Sequence, residues 1–221
     1  CPLPTLQKPM RKLSGHFKFC QGFLFLMASW ILFSSASLAQ TESKSGQNSK
    51  GEGQLVNGLR EGAWKFYYPN GRLMASETYR NGELNGTSTS YFPDGNVSSV
   101  ENWADDLQQD SSWYFHPNGK IHRKGRYEKG VYQGVWLTFY PGGQIQQSGG
   151  YLDGLPSGLY RNWFENGFLQ EEGEYSGGKK NGQFVFYFQE KKDRISLIAF
   201  YRNDAPAGIS VRFNKRGKVL K

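Results

Sequence analysis

From Leu55 onward, glycine, aromatic and aliphatic positions recur every 24 residues. Counting from the glycine of Gly62-Ala63-Trp64, the same phase returns at Gly86, Asp110, Gly134, Gly158 and Gly182. It returns once more at Gly208, after a two-residue insertion within Glu190–Arg194. Five residues past each of these anchors stand Tyr67, Tyr91, Phe115, Phe139, Trp163, Tyr187 and Phe213. Eleven past stand Leu73, Val97, Ile121, Ile145, Leu169 and Val219, and Ile195 once the insertion is allowed for. Seventeen past stand Tyr79, Trp103, Tyr127, Tyr151 and Tyr175, with Tyr201 after the insertion. No helical period intervenes between these positions.

Each unit reads as a β-hairpin. Tyr68-Pro69-Asn70-Gly71 carries its own turn chemistry. Pro presets φ at the first corner, Asn suits the second, and Gly takes the left-handed φ of a G1 bulge. Phe92-Pro93-Asp94-Gly95, His116-Pro117-Asn118-Gly119 and Tyr140-Pro141-Gly142-Gly143 repeat or nearly repeat it. A three-residue loop pairs Tyr68 with Arg72, which sets Tyr67 opposite Leu73 on one face. Counting alternate residues onward predicts Tyr79 on that same face. Short Gly-rich turns join the units, so consecutive hairpins pair edge to edge. The expectation is an all-β fold: a single-layer antiparallel meander, elongated and twisted. About 14 strands at roughly 4.8 Å spacing would give a ribbon some 60 Å long.

The unit G-x-W-x-x-Y-Y-P-N-G-x-L-x-x-x-x-x-Y-x-x-G-x-x-x-G resembles the MORN-repeat variant found in bacterial proteins often labelled YwqK-type antitoxins. Gly62–Gly86 matches it best, followed by Gly134–Gly158 and Gly158–Gly182. The resemblance runs from Leu55 to Lys221 and departs in two places. Ala104–Asp110 loses both turn glycines, and Glu190–Arg194 loses the Pro-Asn-Gly turn, so either loop could be irregular or specialised. The resemblance implies a single-layer β-meander that binds proteins or lipids, and it implies no catalytic residue set.

The segment ahead of the repeats is of another kind. Arg11, Lys12 and Lys18 precede the uncharged run Gly22–Phe33, and Ser37-Leu38-Ala39 offers small residues at the −3 and −1 positions. This reads as a signal peptide cleaved after Ala39. As a helix the run would span about 18 Å, short of the roughly 30 Å hydrocarbon core. The expected organisation is therefore an upstream extension with signal peptide over 1–39 and a polar, flexible linker over 40–53. The repeat domain follows over 54–221, in a protein of the periplasm, cell surface or medium.

Composition narrows the class. The chain of 221 residues has 28 Gly, 6 Trp, 13 Tyr and 16 Phe, which suits many short strands and argues against a helical bundle, a coiled coil or a dinucleotide-binding α/β enzyme. Its two cysteines, Cys1 and Cys20, precede the repeats, so the mature chain would hold no disulfide. The net charge of +8 is uneven: residues 179–221 carry 11 basic and 3 acidic side chains, whereas 40–178 carry 12 and 16.

A search for catalytic patterns finds no nucleophile elbow, no His-Glu-x-x-His and no phosphate-binding loop. Asp105, Asp106 and Asp110 match no EF-hand spacing and read as a solvated turn. His116 stands where other units have Tyr68, Phe92 and Tyr140, so it reads as an aromatic substitute, with His122 within reach across the hairpin. Glu171 and Glu172 are adjacent on a strand and must point to opposite faces. No enzyme, metal or cofactor is expected.

The candidate binding residues form two sets. Trp64, Trp136 and Tyr160, two past an anchor, and Tyr68, Tyr140 and Phe164, six past, fall on the face opposite Tyr67. They either pack into ladders or offer a contact surface. Lys215, Arg216 and Lys218 lie in the basic C-terminal end, where positive charge blunts a sheet edge or meets an anionic membrane or cell-wall surface. The expected activity is a repeat scaffold that binds a protein partner through its sheet. Antitoxin-type inhibition of a toxin and a glycan- or lipid-headgroup-binding module are the rivals; nucleic acid is not an expected partner.

Overall fold

The computed structural model describes residues 51–220. Residues 1–39, expected to hold a signal peptide, and residues 40–50 of the expected linker lie outside the described residues. Eighteen strands from Gly51 to Leu220 make one antiparallel sheet in which hairpins follow one another along the chain. Gly51-Glu52-Gly53, which composition places in the linker, instead open the first strand, Gly51–Val56, and pair with Phe66, Lys65 and Trp64.

The Pro-Asn-Gly turns take the expected form. Tyr68 N–H donates to Arg72 O and Gly71 N–H to Tyr68 O, both at 2.8 Å, and Tyr67 faces Leu73. The lengthened loop at Glu190–Arg194 keeps this plan: Phe188 N–H donates to Arg194 O, and Tyr187 faces Ile195. There Asp193, at φ 54°, takes the left-handed place that Gly71 holds at φ 80°.

The units join through two-residue turns with positive φ at both corners, the type I′ geometry that matches strand twist. Asn81-Gly82 sit at φ 53° and 88°, and the atypical Asp105-Asp106 at 50° and 61°. The aspartates therefore form the same turn as the glycines. Asp tolerates left-handed φ better than most residues, so the loop is regular rather than specialised. Successive turns are tied together. Gly82 N–H donates to Arg60 O, Asp106 to Leu84 O, Gly130 to Gln108 O and Gly154 to Tyr132 O, at 2.8–3.1 Å.

One face assignment is corrected. Opposite Phe66 stands Ala75, not Met74, because each hairpin gains an extra residue beside its aromatic–aliphatic pair. The same shift recurs next to Tyr91, Phe115, Phe139, Trp163 and Tyr187. A bulge of one residue flips everything beyond it to the other face. Tyr79 thus leaves the Tyr67 face and joins Trp64, Phe66 and Ala75, which form the buried cluster.

Candidate functional site

The two faces of the sheet differ. One is filled by its own side chains. Phe184, fully buried, meets Tyr175 and Tyr201 edge-on at 5.7 and 5.3 Å. Trp136 lies 5.0 Å from Tyr127 and 4.3 Å from Tyr132, and Trp64 lies 6.3 Å from Tyr79. Of the aromatic residues weighed as an open surface, Trp64 and Trp136 are only 8% and 4% exposed, so they belong to the packed layer. Tyr160 is half-buried against Tyr175 at 5.1 Å. The ladder forms because the residue beneath each ring is glycine. A Cβ at Gly53 would stand 2.4 Å from Trp64, one at Gly125 2.2 Å from Trp136, and one at Gly173 2.4 Å from Phe184.

In two units the ring is replaced by serine and the glycine by glutamate. The register carries Glu77 opposite Ser88 and Glu101 opposite Ser112. In the sequence this exchange is a paired change 11 residues apart that belongs to no motif. It builds a polar inset in the aromatic layer. Glu101 accepts from the Tyr114 hydroxyl at 2.6 Å and from Gln108 Nε2 at 2.5 Å, and the Tyr114 and Tyr127 hydroxyls lie 3.1 Å apart. Arg123 lies 4.6 Å over the Tyr114 ring and 5.2 Å over Trp136, and donates to the Tyr132 hydroxyl at 2.9 Å. Burial, then the charge of Glu101, pushes the Tyr114 phenol well above its usual range. The Tyr114 phenol therefore stays a protonated donor to the Glu101 carboxylate.

Three of the residues six past an anchor tie neighbouring hairpins together. Tyr68 donates to Tyr91 O at 2.6 Å and Tyr140 to Trp163 O at 2.8 Å, and His116 Nε2 lies 2.9 Å from Phe139 O. His116 thus occupies the tyrosine's place in the ladder. Phe164 is half-buried at the corresponding position. The His116 and His122 rings lie 4.6 Å apart. Burial, the neighbouring His116 and Arg123 lower the His122 pKa. A depressed pKa means the unfolded chain binds the proton more readily. Stability should then fall as pH drops from about 6.5 through the folded-state value. Urea titrations across that range should show this loss, and His122→Gln should flatten it.

Asp105 accepts from Arg80 at 3.1 Å and Asn85 at 2.8 Å, while Asp106 accepts from Leu84 N–H at 2.7 Å. The acidic group is occupied in stitching turns together. At the other end Lys215 pairs with Glu190 at 2.8 Å, and the Arg216 and Lys218 amides both donate to Asn214 Oδ1. All three basic side chains are exposed on that turn.

The outer face, which carries Tyr67 and Phe139, is different. Its middle row crosses the strands through directly paired residues: Val100, Trp113, Lys124, Leu137, Ser148, Arg161, Glu172, Val185 and Ile198. Arg161 and Glu172 form an ion pair at 3.0 Å. Partial burial opposes ionisation of Glu172, but hydrogen bonds from Arg161 and Tyr187 outweigh it and hold the carboxyl below its usual range. Beside this row Val135, Leu159 and Phe200 are 62%, 46% and 38% exposed. An open groove runs between Trp113, Lys124, Arg126, Val135, Leu137 and Leu152.

A single layer of tandem hairpins, one face filled and the other open, defines an all-β repeat protein. Three stretches, residues 60–81, 84–105 and 132–153, match the family described as MORN repeat variant. They begin in the same phase of the 24-residue period, and the register continues through the units between and beyond them. The chain carries repeats of this MORN variant. No curated protein matches it.

Proposed function

We propose that this chain is an exported, non-catalytic repeat scaffold that binds a protein partner on the outer face of its sheet. The contrast between the faces carries the reading. One face spends its aromatics on its own packing, while the other leaves Val135, Leu159 and Phe200 open beside charged side chains. An apolar strip with a polar surround is the pattern of an interaction surface. Export rests on the signal-peptide pattern of residues 10–39. A photo-crosslinking residue placed at Val135 or Leu159, in cells that make the protein, should yield a discrete adduct with a second protein. The same residue at Arg80, on the turn edge, should not. Adducts at Arg80 with none at either outer-face position would overturn the reading. Antitoxin action is the special case in which the captured partner is a toxin.

A further inference from the structure

The outer face is not uniform in charge, and its unevenness says what could lie on it. In the middle row Lys124 stands between Trp113 and Leu137, its direct neighbours on both adjoining strands. Its ammonium lies 5.8 Å over the Phe139 ring, and no carboxylate pairs with it among the described residues. Arg161, on the same row, has Glu172 at 3.0 Å. Lys124 is thus a half-buried cation flanked by apolar side chains without a counter-charge. Arg126, two residues on and on the same face, adds a second cation, whose ion pair among the described residues is the exposed one with Glu128 at 2.8 Å.

Four strands further along, the same two phases hold Glu172 and Glu174 in place of Lys124 and Arg126. At roughly 4.8 Å per strand the two charged positions are about 19 Å apart, close to six residues of extended chain at about 3.3 Å each. Between them lie Leu137, Val135 and Leu159. Resting on the reading of the outer face as a binding surface, we infer that the groove takes an extended peptide segment of a partner protein. That segment carries an acidic residue beside an apolar one over Trp113–Lys124–Leu137, and a basic residue about six positions away over Glu174. A carboxylate there gains a charge-assisted contact in a partly desolvated site, where it is worth more than on open surface. An anionic membrane fits less well, because Lys124 is recessed between its neighbours and Glu174 on the same face would repel it.

A phage-displayed library of random dodecapeptides, panned on the full chain, tests this. Enriched sequences should carry Asp or Glu next to Leu, Ile, Phe or Trp, with Lys or Arg five to seven positions away. Lys124→Glu with Arg126→Glu should weaken the synthetic enriched peptide at least tenfold without changing the melting temperature. Replacing the peptide's acid by Lys should restore binding to that double variant. Enriched peptides that bind the double variant equally well would overturn the inference, while leaving sheet-surface binding intact if Leu159→Asp abolishes them. Peptides indifferent to Leu159→Asp as well would overturn both. Loss of co-sedimentation with phosphatidylserine vesicles in the double variant, with no peptide enriched, would assign the cations to a lipid surface and overturn the inference.

Discussion

Replacing Phe184 by alanine is expected to lower the free energy of unfolding by about 3–5 kcal/mol, the range for a fully buried aromatic. Phe184 has no exposed surface and bridges Tyr175 and Tyr201, which belong to consecutive units. Its removal takes away two edge-on ring contacts, each worth about 0.5–1.5 kcal/mol beyond burial. It also leaves a void that a single-layer sheet has no second layer to fill. Phe139, on the outer face and half-buried, should cost about half as much. Guanidinium denaturation of the two variants, with the wild-type m-value as reference, separates them. A larger effect from Phe139→Ala would mean that the packed face has been wrongly assigned.

Gly173→Ala is the second large effect, and its sign opposes ordinary strand propensity. Alanine is normally no worse than glycine in a strand interior. Here its methyl carbon would stand 2.4 Å from the Phe184 ring, so the ring must move from its place between Tyr175 and Tyr201. Overpacking of this kind costs about 1–3 kcal/mol. In a Phe184→Ala background the clash is gone, and Gly173→Ala should cost under about 0.5 kcal/mol. The resulting coupling is read from a double-mutant cycle. Additive effects would show that the glycine is kept for some reason other than the ring above it.

Much of this architecture was legible from the residues alone. The 24-residue period, the Pro-Asn-Gly turn and the pairing of Tyr67 with Leu73 follow from local φ preferences and from alternation along a strand, both of which are short-range. His116 as a stand-in for tyrosine was legible for the same reason: it sits in the tyrosine phase. The faces were harder. Alternation counted from Leu73 put Tyr79 beside Tyr67, and a one-residue bulge that leaves no composition signature reversed it. Lost glycines at Asp105-Asp106 suggested an irregular loop, yet aspartate can take the same left-handed turn. The candidate site shifted accordingly. Trp64 and Trp136 became packing, and Lys124, which no motif marks, became notable only when Trp113 and Leu137 were placed on either side of it.

The sequence by itself determined the repeat, its hairpins and the single-layer meander, because turn chemistry and a period of two act between residues close along the chain. Only the tertiary structure decided which face is filled and which is open. That choice depends on register between strands: whether a ring lands on a glycine of the neighbouring hairpin, as Trp136 does on Gly125, or a cation lands between two apolar side chains with no acid in reach. Such meetings join residues 11 to 13 positions apart, and a bulge of one residue reassigns all of them at once.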